Sequence, residues 1–264
     1  MSSNPKASLE LTPEEKELVN KRKILSDREE QLAELELTFS TLQAELKSFQ
    51  VEYFTRVGSK YVEIDQLQAQ LDRLYASRQP SNDNAKKTAD ASRERAEHSS
   101  READDFRITS KKTESRFEPS QELKALYREL AKLVHPDLAL DQEEKQRRHK
   151  LMQEVNDAYQ AGDLKRLRDI LASEKMSPER VKGDDIGSSL VKIIRKIAQI
   201  DKRIEEVLSN IAELAKSDMY LLRERVKAER EKGKDILEQL ATTLDHKISN
   251  LKDEISNIKS QRAN

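Results

Sequence analysis

The sequence predicts an all-α fold in which long coiled-coil helices flank a small helical hairpin. Three observations point there. Glycine and proline are scarce, 5 and 6 among 264 residues, and sheet-rich folds need them for tight turns. Charged residues make up 38% of the chain and aromatic residues 4%, a balance that suits long solvated helices better than a large core. Leu and Ile recur every seven residues in two separate stretches, which is the spacing of a coiled-coil seam.

Taken in order, residues 1–11 are expected to be disordered. Thr12-Pro13-Glu14-Glu15 is a helix start: Thr12 caps, Pro13 suits the first helical position and Glu15 completes a capping box. A first coiled coil over 12–76 follows. One seam is Leu18, Leu25, Leu32, Phe39, Leu46 and Tyr53, joined by Leu35, Leu42 and Phe49. Gly58 interrupts it, and the apolar pattern resumes at Tyr61, Ile64, Leu67, Leu71 and Leu74. Residues 77–118 carry few large apolar side chains beyond Phe106, Ile108 and Phe117. They are expected to form a flexible charged linker, with transient helix around Ser92–Phe106. A dense island occupies 119–173. A second linker, 174–187, holds Pro178, Gly183 and Gly187.

A second coiled coil covers 188–260. Its seams are Leu190, Ile197, Ile204 and Ile211, and Ile193, Ile200, Val207 and Leu214. The register weakens at Ser217-Asp218 and Gly233. It recovers with Leu237, Leu244, Leu251 and Ile258, supported by Leu240, Ile248 and Ile255. Such seams must pair, within one chain or between chains. Ile at both seam positions favours assembly of several strands, so a self-associated chain, most simply a homodimer, is expected.

Several function classes fall away. No run approaches about 18 apolar residues, so no membrane span is expected, and the first residues carry no apolar signal core. The absence of Cys removes thiolate metal sites and Cys nucleophiles and fits a reducing, cytoplasmic setting. With 49 basic and 50 acidic residues the net charge is −1, which does not favour nucleic acid. The basic cluster Lys145, Arg147, Arg148 and Lys150 is interleaved with Glu143, Glu144 and Glu154. His98, His149 and His246 lack paired ligand spacing, and the isolated glycines form no phosphate loop or nucleophile elbow. No metal, cofactor or catalytic residue is expected, and the chain is not expected to be an enzyme.

The island carries the chemistry. Ser120 is a good N-cap. Leu123, Leu126, Tyr127, Leu130 and Val134 fall on one helical face, and Lys124, Arg128 and Lys132 form a basic stripe at four-residue steps. His135 precedes Pro136, so the helix ends near Val134. A loop leads to a second helix with Leu151, Met152, Val155, Ala158 and Tyr159 inside; Gly162 stops it, and Asp163 caps a short third helix. The expected arrangement is an antiparallel pair with His135-Pro136-Asp137 exposed at its tip. Tyr127, Tyr159 and Met152 are assigned to the core.

Two phrases, LKALYRELAKLVHPD and MQEVNDAY, in this order, give the island its resemblance. It resembles the J-domain of DnaJ-type co-chaperones over about residues 119–172. It departs from that family in three ways: no first helix is visible upstream, Glu129 stands at a usually basic position, and Leu138 follows the tripeptide where Lys or Arg is usual. The resemblance implies docking on a DnaK-type ATPase and stimulation of its ATP hydrolysis, with the hydrolytic site on the partner. It implies that Lys124, Arg128 and Lys132 meet an acidic patch, that His135 and Asp137 contact the ATPase, and that Pro136 holds the loop. The coiled coils would serve self-association or client targeting. The alternative is a coiled-coil scaffold whose J-like island is degenerate and purely structural.

Overall fold

The computed structural model describes residues 11–110, 117–139, 141–175 and 186–261. Among these residues the fold is all-α, with no strand. The helices are α1 (Pro13–Tyr53), α2 (Ser59–Arg78), α3 (Asp83–Ser110), α4 (Gln121–Val134), α5 (Gln142–Gln160), α6 (Leu164–Lys175), α7 (Ile186–Ala215), α8 (Asp218–Glu231) and α9 (Ile236–Ser260). The chain divides into two compact units. One comprises Met1–Ala44 and Phe117–Ala215, the other Glu45–Arg116 and Lys216–Asn264. The expected disorder of 1–11 falls outside the described residues, except at Leu11. So does most of the expected linker 174–187.

The first unit is built on α1. Thr12 and Glu15 exchange both hydrogen bonds of a capping box, at 2.7 and 3.2 Å. Two stripes of α1 are then buried. Leu32, with Leu25, Leu35 and Phe39, packs against Ile200, Ile204, Val207 and Ile211 of α7, and Leu138 joins them. Ala33 and Leu37 enter a second core with Leu123, Tyr127, Leu130 and Val134 of α4, Met152, Val155 and Tyr159 of α5, and Leu167 and Ile170 of α6. The central Ile and Val residues of the α7 seam are thus covered within one chain.

In the second unit the end of α1 and α2 pack against α9. Phe49, Val57, Ile64 and Leu71 share a core with Leu237, Leu244, Ile248, Leu251 and Ile255. From Phe49 to Val57 is eight residues, whereas Val57, Ile64 and Leu71 keep seven. A π-helical turn, Phe54–Gly58, absorbs the extra residue and returns the stripe to the same side. Where the sequence weakens the second register, at Ser217-Asp218 and at Gly233, the chain breaks. Ser217 caps α8. Gly233, at φ +74°, ends it, and Asp235 caps α9.

The expected flexible linker 77–118 is corrected over most of its length. α3 occupies Asp83–Ser110 and lies along α2. Its inward face is Ala85, Ala89, Ser92, Ala96, Ser99, Ala103 and Phe106, all partly or fully buried at alternating steps of four and three. Small side chains let the two backbones approach closely, so α3 needs no large apolar residues to pack. Phe106 closes the row against Phe54, with ring centroids 4.6 Å apart. Residues 111–116 lie outside the described residues.

Candidate functional site

The site lies in the first unit, where α4 ends. Ser120 Oγ accepts the Leu123 N–H at 3.1 Å and fixes the start of α4. Five residues, Leu123, Tyr127, Leu130, Ala131 and Val134, are buried along its inner face. The helix stops because Pro136 excludes helical geometry at His135, which is extended at φ −60°, ψ 128°. One 3-10 turn, Pro136–Leu138, follows. Asp141 then caps α5 by accepting the Glu144 N–H at 2.8 Å. α5 returns antiparallel to α4: Asp137 meets Lys145 at 3.3 Å near the turn, and Tyr127 Oη donates to Asn156 Oδ1 at 2.7 Å further along. Gly162, at φ +69°, ends α5, and Asp163 caps α6.

The tripeptide is not exposed as the sequence predicts. His135 retains 2% of its accessible surface. Its Nδ1 accepts the Asp137 N–H at 3.2 Å, which leaves the ring proton on Nε2, facing Glu36 Oε1 at 3.4 Å. The same carboxylate oxygen accepts from Arg203 Nε and Nη2 at 2.9 and 2.8 Å. Glu36 comes from α1 and Arg203 from α7, so the two long helices that flank the island in sequence cover its turn in space. Burial alone would raise the Glu36 carboxyl. The hydrogen bonds from His135 and Arg203 and the Arg203 charge outweigh it and hold the group below its ordinary range. Asp137 remains partly accessible beside Lys145.

Two of the three cations of the basic stripe pair with α1. Glu34 Oε1 lies 2.8 Å from Arg128 Nε, and Glu30 pairs with Lys132. The Arg128 Nε–H is not aligned on Glu34, so this contact is a charge pair and not a directed hydrogen bond. The two pairs form an antiparallel ladder, with steps of four up α1 matched by steps of four down α4. The next rung would set Thr38 against Lys124. Thr38 carries no charge, and half-buried Lys124 has no ionic partner among the described residues. Beside the ladder, burial raises Glu29 against the pull of Lys196, Lys132 and Arg148. The cluster after the turn is also internally paired: Arg147 and Arg148 donate to Glu144 at 2.7–2.9 Å, and Arg147 reaches Glu174. The Arg147 hydrogen bond leads the causes that bring the Glu144 carboxyl down to about 2.

Sequence reasoning placed the six basic and tripeptide residues on α4 and its turn. It missed Glu36 and Arg203. A signal existed for each. Glu36 interrupts the uncharged stripe Ala33, Leu37, Ser40, Ala44 of α1. Arg203 interrupts the β-branched face Ile200, Ile204, Val207 of α7. Tyr127 and Tyr159 are core residues as expected, tilted against each other at 4.7 Å. Phe117 meets Tyr159 edge-on at 5.6 Å. Among the described residues no group of three or more His, Asp or Glu is arranged to hold a metal ion. No helix among them is long and apolar enough to cross a membrane. No family model matches the chain, and no curated protein or solved structure matches it.

Proposed function

We propose that this chain is a J-domain co-chaperone that docks on a DnaK-type ATPase and stimulates its ATP hydrolysis. One observation carries the reading. The two phrases that resemble the family pack face to face, with Tyr127 and Val134 from the first and Met152, Val155 and Tyr159 from the second in one core. The His-Pro-Asp turn joins the helices that carry them. In this reading the chain supplies contacts and no hydrolytic group. Lys124, Arg128 and Lys132 steer the encounter with an acidic partner, and Asp137, the most accessible ionisable group of the turn, pairs with a partner cation. A cytoplasmic setting belongs to the same proposal, since a chain without Cys loses nothing in a reducing compartment. Client targeting by the long helices belongs to it as well.

A second reading is favoured by a specific observation. Glu36, held between buried His135 and Arg203, makes the turn a fastener for α1 and α7. The island is then a structural node of a helical scaffold. A single-turnover ATPase assay with the full chain and DnaK-type partners separates the two. Stimulation that Asp137→Asn removes supports the co-chaperone. Absence of stimulation, with Asp137→Asn as well folded as the parent, supports the scaffold.

A further inference from the structure

Lys124, Arg128 and Lys132 form a surface suited to an acidic partner, yet two of the three cations already have acidic neighbours. Glu30 and Glu34 sit on them at matching helical steps. The same segment of α1 contributes the Glu36 main-chain carbonyl, 3.3 Å from Tyr127 Oη, and its side chain to His135. Of the residues that the co-chaperone reading assigns to the ATPase, α1 therefore contacts Arg128, Lys132 and His135, leaving Lys124 and Asp137.

We infer that the acidic segment Glu30–Glu36 of α1 occupies the partner-docking face of α4, so that an acidic external partner binds by displacing it. The inference rests on the co-chaperone reading for the identity of that partner. It rests on the ladder for the competition. The two ion pairs are largely solvent-exposed, with Glu34 and Glu30 side chains 52% and 60% accessible. Such pairs are individually weak and salt-sensitive. Apolar contact supplies the rest of the cover: Leu37 is 5% and Ala33 1% exposed. Re-exposing one such Leu makes the open form roughly ten- to a hundredfold rarer. The cover is thus closed at rest, and its charges tune how readily it yields.

The ladder allows tests in both directions without touching α4. Glu30→Gln with Glu34→Gln removes two rungs, and Thr38→Glu adds one opposite Lys124. The full chain and both variants are compared for stimulation of a DnaK-type ATPase and for acylation of Lys132 by an amine-reactive probe. Circular dichroism checks their folding. The Gln variant should stimulate at roughly three- to tenfold lower concentration than the parent, with Lys132 acylated faster by a similar factor. Thr38→Glu should shift both the other way. Adding Asp137→Asn to the Gln variant should remove the stimulation. If all three chains stimulate alike, the co-chaperone reading stands and the competition is overturned. If Lys132 reacts equally in all three, α1 does not govern the face, and the inference falls whatever the ATPase does. If Lys132 becomes more reactive but no chain stimulates, the face opens without such a partner, which overturns the co-chaperone reading and this inference with it.

Discussion

Glu36 is a buried carboxylate whose stability depends on two donors of unequal freedom. Its side chain is 6% exposed and that of Arg203 is 30% exposed. Removing the arginine strands a charge with only His135 beside it. Neutralising the carboxylate leaves an arginine that can turn to water. Arg203→Met is therefore expected to cost about 3–5 kcal/mol, and Glu36→Gln about 1–2 kcal/mol, read from urea unfolding midpoints. The pH dependence has a definite sign. The folded carboxyl lies below its ordinary 4.5, so its contribution is complete above that pH and is lost as pH falls below it. Glu36→Gln should flatten this part of the acid-unfolding curve. His135→Gln disturbs the same cluster, whereas Asp137 hydrogen-bonds to His135 through its main chain, which Asp137→Asn preserves. Asp137→Asn is thus the cleaner probe of docking.

At the scale of helices, large side chains made the fold legible and small ones hid part of it. Leu and Ile at seven-residue steps announced α1, α7 and α9, and Pro136, Gly162 and Gly233 announced where helices end. α3 was not legible, because its seam is built of Ala and Ser and a search for bulky apolar residues passes over it. The prediction for α3 follows from close approach. Ala96→Leu or Ala103→Leu, at positions 8% and 6% exposed, should overpack the seam and cost about 1–3 kcal/mol. Glu94→Leu, on the exposed side, should change stability by about 0.5 kcal/mol or less. Thermal unfolding of the three variants checks the ranking. The candidate site was legible as a motif but not as a surface. The turn after Val134 follows from His-Pro alone, while its burial depends on Glu36, 99 residues before His135, and on Arg203, 167 residues after Glu36.

At the scale of the molecule, the strongest seam in the sequence finds its partner at home. Ile200 and Val207 are fully buried, and Ile204 is 7% exposed, against Leu32, Leu138 and the rest of that core. Light scattering at micromolar concentration is expected to give the single-chain mass of 30.5 kDa. Twice that mass would assign a second copy to apolar residues that α7 leaves exposed, such as Val191 and Ile194. Ile204→Asp discriminates further. It should unfold the first unit, with loss of helicity. In a chain whose seam paired with a second copy, it would lower the mass and leave each helix intact.

The distance along the chain between α1 and the arginine that fastens it has a consequence for synthesis. Glu36 leaves the ribosome 167 residues before Arg203. At about 5–20 residues per second, the nascent chain carries α1 for roughly ten to thirty seconds before its α7 partner exists. The island is made in that interval and brings Arg128, Lys132 and His135 to the waiting acidic segment first. The basic face of α4 therefore meets α1 from the time it is translated, whereas the Leu32 stripe stays uncovered until α7 arrives. Misassembly during translation is most to be expected along that stripe.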